Sequence, residues 1–201
     1  MASKAEERRN ALRDRLITLA EQQIEQEGIQ AIKARPLAQA AGCSVGAIYN
    51  VFGDLEDIII AVNGRTFRKL GRFVAAALEG KETLPPTDRL IVMAHAYLDY
   101  AGAHPKLWRA LFDLRMSADI NVPDWYLEEL ARLFSHINGP VQECFPDMDQ
   151  NEVDLLTRAL FSSVHGIVLL GLENRISAVP RDQIRNMIAL ILRSATGNKK
   201  M

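Results

Sequence analysis

Apolar residues recur three or four positions apart along most of this chain, and the strict alternation of a half-buried strand is nearly absent. The first such stripe is Leu12, Leu16, Leu19 and Ile24. Ser3 and Glu6 have the spacing of a capping box at its start, and Gly28 is placed to end it in a left-handed cap. Pro36 is tolerated only in the first turn of a helix, which predicts a second helix from near Arg35; Gly42 stops it. Ser44 can cap a third helix over 45–51. After the break at Gly53-Asp54, the stripe Ile58, Ile59, Val62, Phe67, Leu70, Phe73, Val74 predicts a long fourth helix over about 55–79. Pro85-Pro86 precede a fifth that runs to about residue 103, and His104-Pro105 a sixth that carries Leu107, Trp108, Leu111, Phe112 and Met116. Pro123 opens a seventh, which either ends near Gly139-Pro140 or continues past a kink. The eighth, about 150–174 with Asp149 as cap, is apolar around most of its surface, and the ninth carries Ile184, Met187, Ile188, Ile191 and Leu192.

The expected fold is therefore all-α, with about nine helices: a three-helix head over 1–53, then a long helix leading into a helical bundle, the whole second domain spanning 54–196. Residues 197–201 read as a disordered tail. The informative stretch is 35–52. Two helices that cross closely need a small residue on the first, here Ala38. The tight turn needs a residue at ease with positive φ, here Gly42, and the second helix needs an apolar anchor, here Ile48. These spacings are those of a DNA-reading helix-turn-helix. Two helices of an ordinary bundle joined at a glycine are the alternative that the residues alone leave open.

Composition alters this picture little. A hydrophobic fraction of 48% and a charged fraction of 24% suit a globular chain. The net charge of −1 gives no general attraction to nucleic acid, so DNA binding has to rest on local features. Residues 1–10 are charged, without the apolar core of a secretory signal, and no run of eighteen apolar residues occurs; a cytoplasmic protein without a membrane partner is expected. Cys43 and Cys144 do not mark a disulfide framework, and Cys43, in the reading turn, is read as a small buried hydrophobe rather than an oxidant sensor. His95, His104, His136 and His165 form no metal-ligand spacing, and no phosphate-cradling glycine loop, paired carboxylates or nucleophile with base is apparent. Neither an enzyme, a metal nor a cofactor is expected.

Leu37-Ala38, Ala41-Gly42-Cys43-Ser44, Gly46, Ile48-Tyr49 and Phe52, followed by an acidic helix start, resemble the DNA-binding signature of the tetracycline-repressor (TetR/AcrR-type) family of transcriptional regulators. Trp108 to Phe112 and Val164-His165-Gly166 are similar to a subgroup with a Trp-His-Gly signature in its C-terminal domain, with Val164 in place of the tryptophan. The resemblance implies that the third helix enters the major groove of an operator. Val45, Gly46 and Ala47 would then face base edges, Tyr49 a phosphate and Arg35 a guanine, with Ser44 and Asn50 completing the DNA-facing set. Many members carry a phosphate-gripping lysine where this chain has Leu55, and a histidine where it has Val51. The contact at Leu55 must then come from the backbone N–H groups of the fourth helix or be absent, and few phosphate contacts with a shallow salt dependence are expected. Arg8 and Arg9 serve either as a DNA-touching arm or as solvated charge.

Such heads read paired half-sites, so a homodimer is expected. Leu156, Leu160, Val164, Ile167, Val168, Ile188 and Ile191 are the candidate interface; burial in the chain's own core is the other reading. A pocket for an unknown small-molecule effector is expected among Phe67, Met93, Tyr97, Tyr100, Trp108, Phe112, Met116 and His165, with His95 and Asn174 as further polar candidates. The function expected is a dimeric repressor released by its ligand. The alternative is a helical small-molecule-binding protein or enzyme domain with no DNA role, and activation is not separable from repression.

Overall fold

The computed structural model describes residues 3–113, 123–173 and 180–197. Among them are nine α-helices: α1 (Lys4–Glu27), α2 (Ala34–Ala41), α3 (Val45–Val51), α4 (Leu55–Leu78), α5 (Pro86–Ala103), α6 (Pro105–Asp113), α7 (Asp124–Cys144), α8 (Gln150–Leu172) and α9 (Ile184–Thr196). Short 3-10 turns occupy Ile29–Ala31 and Arg181–Gln183. No strand occurs among the described residues. Met116 and Asn174, both named as pocket candidates, and the expected tail from 198 onward lie outside the described residues.

The helix ends follow from their capping chemistry. The Ser3 hydroxyl accepts the Glu6 N–H at 3.2 Å, and the Ser44 hydroxyl accepts the Ala47 N–H at the same distance. Asp149 and Glu152 form a reciprocal capping box on α8. Gly42 closes α2 at φ 64°, in the left-handed region, and its N–H bonds back to the end of the helix. Gly28 ends α1 at φ 91° with extended ψ rather than as a left-handed cap. Pro140 does not end α7: the helix continues to Cys144, forgoing one backbone bond at the proline.

Backbone packing divides the described residues into two compact units, the first holding residues up to 68 together with 104–127, the second 69–103 with 128 onward. The packing division differs from a split at 53/54, because α6 packs against α1 and joins the core of the head. That core gathers Leu16, Ile24, Leu37, Ile48, Ile58, Val62, Leu107 and Ala110, all buried. Burial of such side chains stabilises by about 1.5–3 kcal/mol each, which is what holds three short helices in place. His104 Nδ1 pairs with Glu25 at 2.7 Å and the Lys106 ammonium bonds the Gln26 carbonyl, fixing α6 to the end of α1. Asn63, fully buried on α4, donates to the Ala110 carbonyl at 2.9 Å.

In the second unit α5, α8 and α9 pack together. Thr87 at the start of α5 bonds both the carbonyl and the hydroxyl of Thr196 at the end of α9. Arg89 pairs with Glu143 and Arg185 with Asp99. α8 is long and apolar enough to cross a bilayer by length and composition alone. One of its faces is buried through Val153, Leu160, Val164 and Val168, and another exposes Leu155 and Leu170.

Candidate nucleic-acid interface and effector cavity

The reading head is assembled around Ile48, which is fully buried and turns the rest of α3 outward. Tyr49 is 47% exposed, Ser44, Gly46 and Asn50 are exposed, and Val45 and Ala47 are half-buried. Arg35 stands exposed in the first turn of α2. The residues expected to face DNA thus lie on the two helices of the turn, with the anchor beneath them. Residues 33–53 contain Lys33 and Arg35 and no carboxylate, so this stretch is locally cationic although the chain as a whole is not. The Cys43 thiol is free and half-buried, packed against the head core.

Two arginines of α1 pack onto the turn. Arg15 Nη1 donates to the Ala41 carbonyl at 3.2 Å, satisfying a carbonyl at the end of α2. The Arg13 guanidinium lies 5.2 Å from the centroid of the Phe52 ring, just past α3. Both position the turn from α1. No periodicity signals such a role, because it depends on which helix lies beside which.

The start of α4 is acidic. The Asp57 carboxylate accepts the Gly53 N–H and the Asp54 carboxylate accepts the Asp57 N–H, both at 2.8 Å. Glu56 adds a third negative charge in the same turn. Three carboxylates so placed repel a phosphate, and the Asp57 N–H is already bonded to one of them. Of the two possibilities at Leu55, the backbone grip is the one this geometry disfavours.

The second unit holds a partly open cavity of about 60 Å³. Its wall comes from the end of α4 at Val74, from α5, α7, α8 and from Leu192 of α9. Of the residues expected to line a pocket, Met93 and Tyr97 do so, and His165 stands behind Tyr97, with 2.8 Å between the Tyr97 hydroxyl and His165 Nδ1. Burial pushes the His165 imidazole below its ordinary value of 6.5, which leaves the ring neutral at pH 7.

The other pocket candidates lie away from this cavity's wall. Phe67 packs edge-on to Tyr126 and the buried Trp108 edge-on to Phe112, all in the first unit. Phe112 is largely exposed. Tyr100 is buried against Phe73, and His95 bonds the Arg185 carbonyl. Their aromatic character was legible, but not which core each would join. The wall of this cavity also carries Leu133, Phe134 and Ile137 of α7 and Phe161 of α8, which look like ordinary amphipathic positions in sequence.

The interface candidates divide. Leu160, Val164, Val168 and Ile188 are buried within the single chain, the first two on the cavity wall. Leu156 and Ile167 are half-buried, and Ile191 is exposed. The large apolar side chains left bare on these two helices are Leu155 (69% exposed), Leu190 (68%), Leu170, Met187 and Ile191.

Comparison with known proteins agrees with this architecture. Residues 16–62 match the family model described as bacterial regulatory proteins, tetR family. Residues 90–194 match the tetracyclin repressor-like C-terminal domain. A comparison with curated proteins gives no match. Among solved structures the fold is similar to that of a protein from Rhodococcus sp. RHA1, at 21% identity and a TM-score of 0.74, covering 93% of this chain and 96% of that one. It is similar also to RolR in complex with resorcinol (19%, TM-score 0.71, 96% and 91%). A third is FadR from Bacillus subtilis in complex with stearoyl-CoA (19%, TM-score 0.62, 91% and 97%). At these identities the likeness is one of fold. With its reading head and most of its helical body matched, the chain belongs to the tetracycline-repressor family of bacterial DNA-binding transcriptional regulators.

Proposed function

We propose that this regulator is a homodimeric, sequence-specific repressor that leaves its operator when a small molecule binds the second unit. The observation that carries the reading is the outward face of α3, uncharged and capped by Ser44, beside a cationic α2 start. Val45 and Ala47 offer methyl groups to thymine methyls, Asn50 can pair with an adenine edge, and Arg35 can pair with guanine. Tyr49 and Lys33 would meet phosphates. Residues 1–53 act as the reading head and 54–196 as the effector and dimerisation region, at work in the cytoplasm. The outward faces of α8 and α9 meet the second copy. A partner subunit suits α8 better than a bilayer, because the helix also carries Asp154, Arg158 and His165 and buries its opposite face.

Release requires that a ligand favour one state of a two-state dimer. In the DNA-bound state the two heads are spaced for successive major grooves, about 34–36 Å apart. The cavity wall includes Val74 of α4, and the same helix supplies Ile58 and Val62 to the head core. A ligand that displaces Val74 would therefore act on the head through one continuous helix.

The test is selection of operator sequences from random duplex DNA, followed by titration at several salt concentrations. Tyr49→Ala is expected to weaken binding at least about tenfold, as the loss of a hydrogen bond to a charged group. Arg35→Ala is expected to relax discrimination at one position by about 1–3 kcal/mol. Lys33→Ala is expected to lower the salt slope by about one and leave sequence preference intact. If no duplex is enriched, or if both the Tyr49 and Arg35 variants bind like the parent, the assignment of α2 and α3 as the reading surface is wrong.

A further inference from the structure

Among the described residues, only two side chains on the cavity wall, Tyr97 and His136, carry nitrogen or oxygen, and none is a carboxylate, lysine or arginine. His136 lies on an exposed position of α7, at the solvent side, which leaves Tyr97 as the polar group of the buried wall. The Tyr97 hydroxyl is held by His165, whose ring stacks on Phe161 at 5.8 Å between centroids. Around the same end the rings form an edge-to-face set: Tyr97 with Phe161 at 5.8 Å, and Phe134 with Phe161 at 5.1 Å. The rest of the wall is apolar, with Met93, Leu133 and Val164 among its residues.

We infer that the cavity takes an uncharged aromatic ligand with a single hydroxyl-type group, which pairs with the Tyr97 hydroxyl. This rests on the reading of the second unit as an effector site. A charged ligand would lose its hydration against a carbon wall that supplies no counter-ion. A second or third polar group would find no partner among the same residues. A flat ring extends the edge-to-face set, an arrangement that rewards an aromatic ring over a saturated one of equal size. Because the His165 ring is neutral, the Tyr97–His165 pair presents a dipole and no net charge. A cation stands near the rings in Arg158, 5.6 Å from the Phe134 centroid on an exposed position of α8.

The experiment is calorimetric titration of the full chain, without DNA, using 2-naphthol, naphthalene, decahydro-2-naphthol and 2-naphthoate. We expect 2-naphthol to bind more tightly than 2-naphthoate by at least about tenfold. It should exceed both naphthalene and decahydro-2-naphthol by about threefold to tenfold. In Tyr97→Phe the ratio of 2-naphthol to naphthalene should fall to about one, with circular dichroism reporting the folded state. Leu133→Trp, which fills the cavity from a half-buried position, should abolish binding of every probe. Equal or tighter binding of 2-naphthoate would assign Arg158 the leading role and overturn the inference. So would an unchanged ratio in Tyr97→Phe, undiminished binding in Leu133→Trp, or failure of every uncharged ring to bind. A probe that binds as expected but leaves operator affinity unchanged would instead sink ligand-triggered release and leave the ligand class standing.

Discussion

Gly42 and Gly171 show two different reasons for a glycine. At Gly42 a Cβ would meet nothing within 4 Å, so its φ of 64° is the whole constraint. Gly42→Ala is expected to cost about 1–2 kcal/mol of unfolding free energy in urea, and Gly42→Asn clearly less, because asparagine tolerates the left-handed region. Equal costs would show that something other than backbone conformation governs the turn. His165 makes a prediction about pH. Its folded value lies below the ordinary 6.5 because burial disfavours the charged ring. Well above 6.5 both folded and unfolded forms are neutral there and the group is silent. As pH falls from 6.5 through the folded value, the unfolded chain takes up the proton first, so stability drops. Urea unfolding at pH 7.5 and 5.0 should show a smaller acid-side loss in His165→Asn than in the parent; an identical loss would place the titration elsewhere.

At the scale of the element, helix ends were legible because their chemistry is local. Ser3, Ser44 and Asp149 cap where a side-chain oxygen precedes an apolar stripe, and Gly42 ends α2 where its φ is needed. Pro140 was ambiguous, since whether a helix survives an interior proline depends on the packing around it; here Pro140 and Val141 are buried and α7 continues. The close approach of α8 and α9 was visible only as a glycine in an apolar run. A Cβ at Gly171 would stand 2.5 Å from Ile184 Cδ1. Gly171→Val is therefore expected to push α9 away and destabilise the fold by about 1–3 kcal/mol. Pairing it with Ile184→Ala should recover part of that loss in a double-mutant cycle, and strict additivity would mean the two do not meet.

For the molecule as a whole, the exposed Leu155 of α8 and Leu190 of α9 carry the expectation of a dimer. Each is bare in a single chain, so a glutamate there costs the monomer little. In a dimer it would bury an unpaired charge. Leu155→Glu with Leu190→Glu should shift the protein to monomer in sedimentation at micromolar concentration, weaken operator binding by more than about tenfold, and preserve helical content. A dimer that persists in the double variant would place the interface on another surface.

The chain's sequence by itself determined the helical class, most helix ends and the Gly42 turn, because each depends on neighbours within a few residues: a cap, a left-handed glycine, a small residue four positions before it. Tertiary structure alone decided where the apolar surplus goes. Leu160, Val164 and Val168 face inward while Leu155 and Leu170 on the same helix face out, and Trp108 joins the first unit while Phe161 meets the cavity. A helix apolar on several faces has no periodicity that separates core from cavity from partner. Which face is buried depends on side chains distant in sequence, and local pattern carries no record of them.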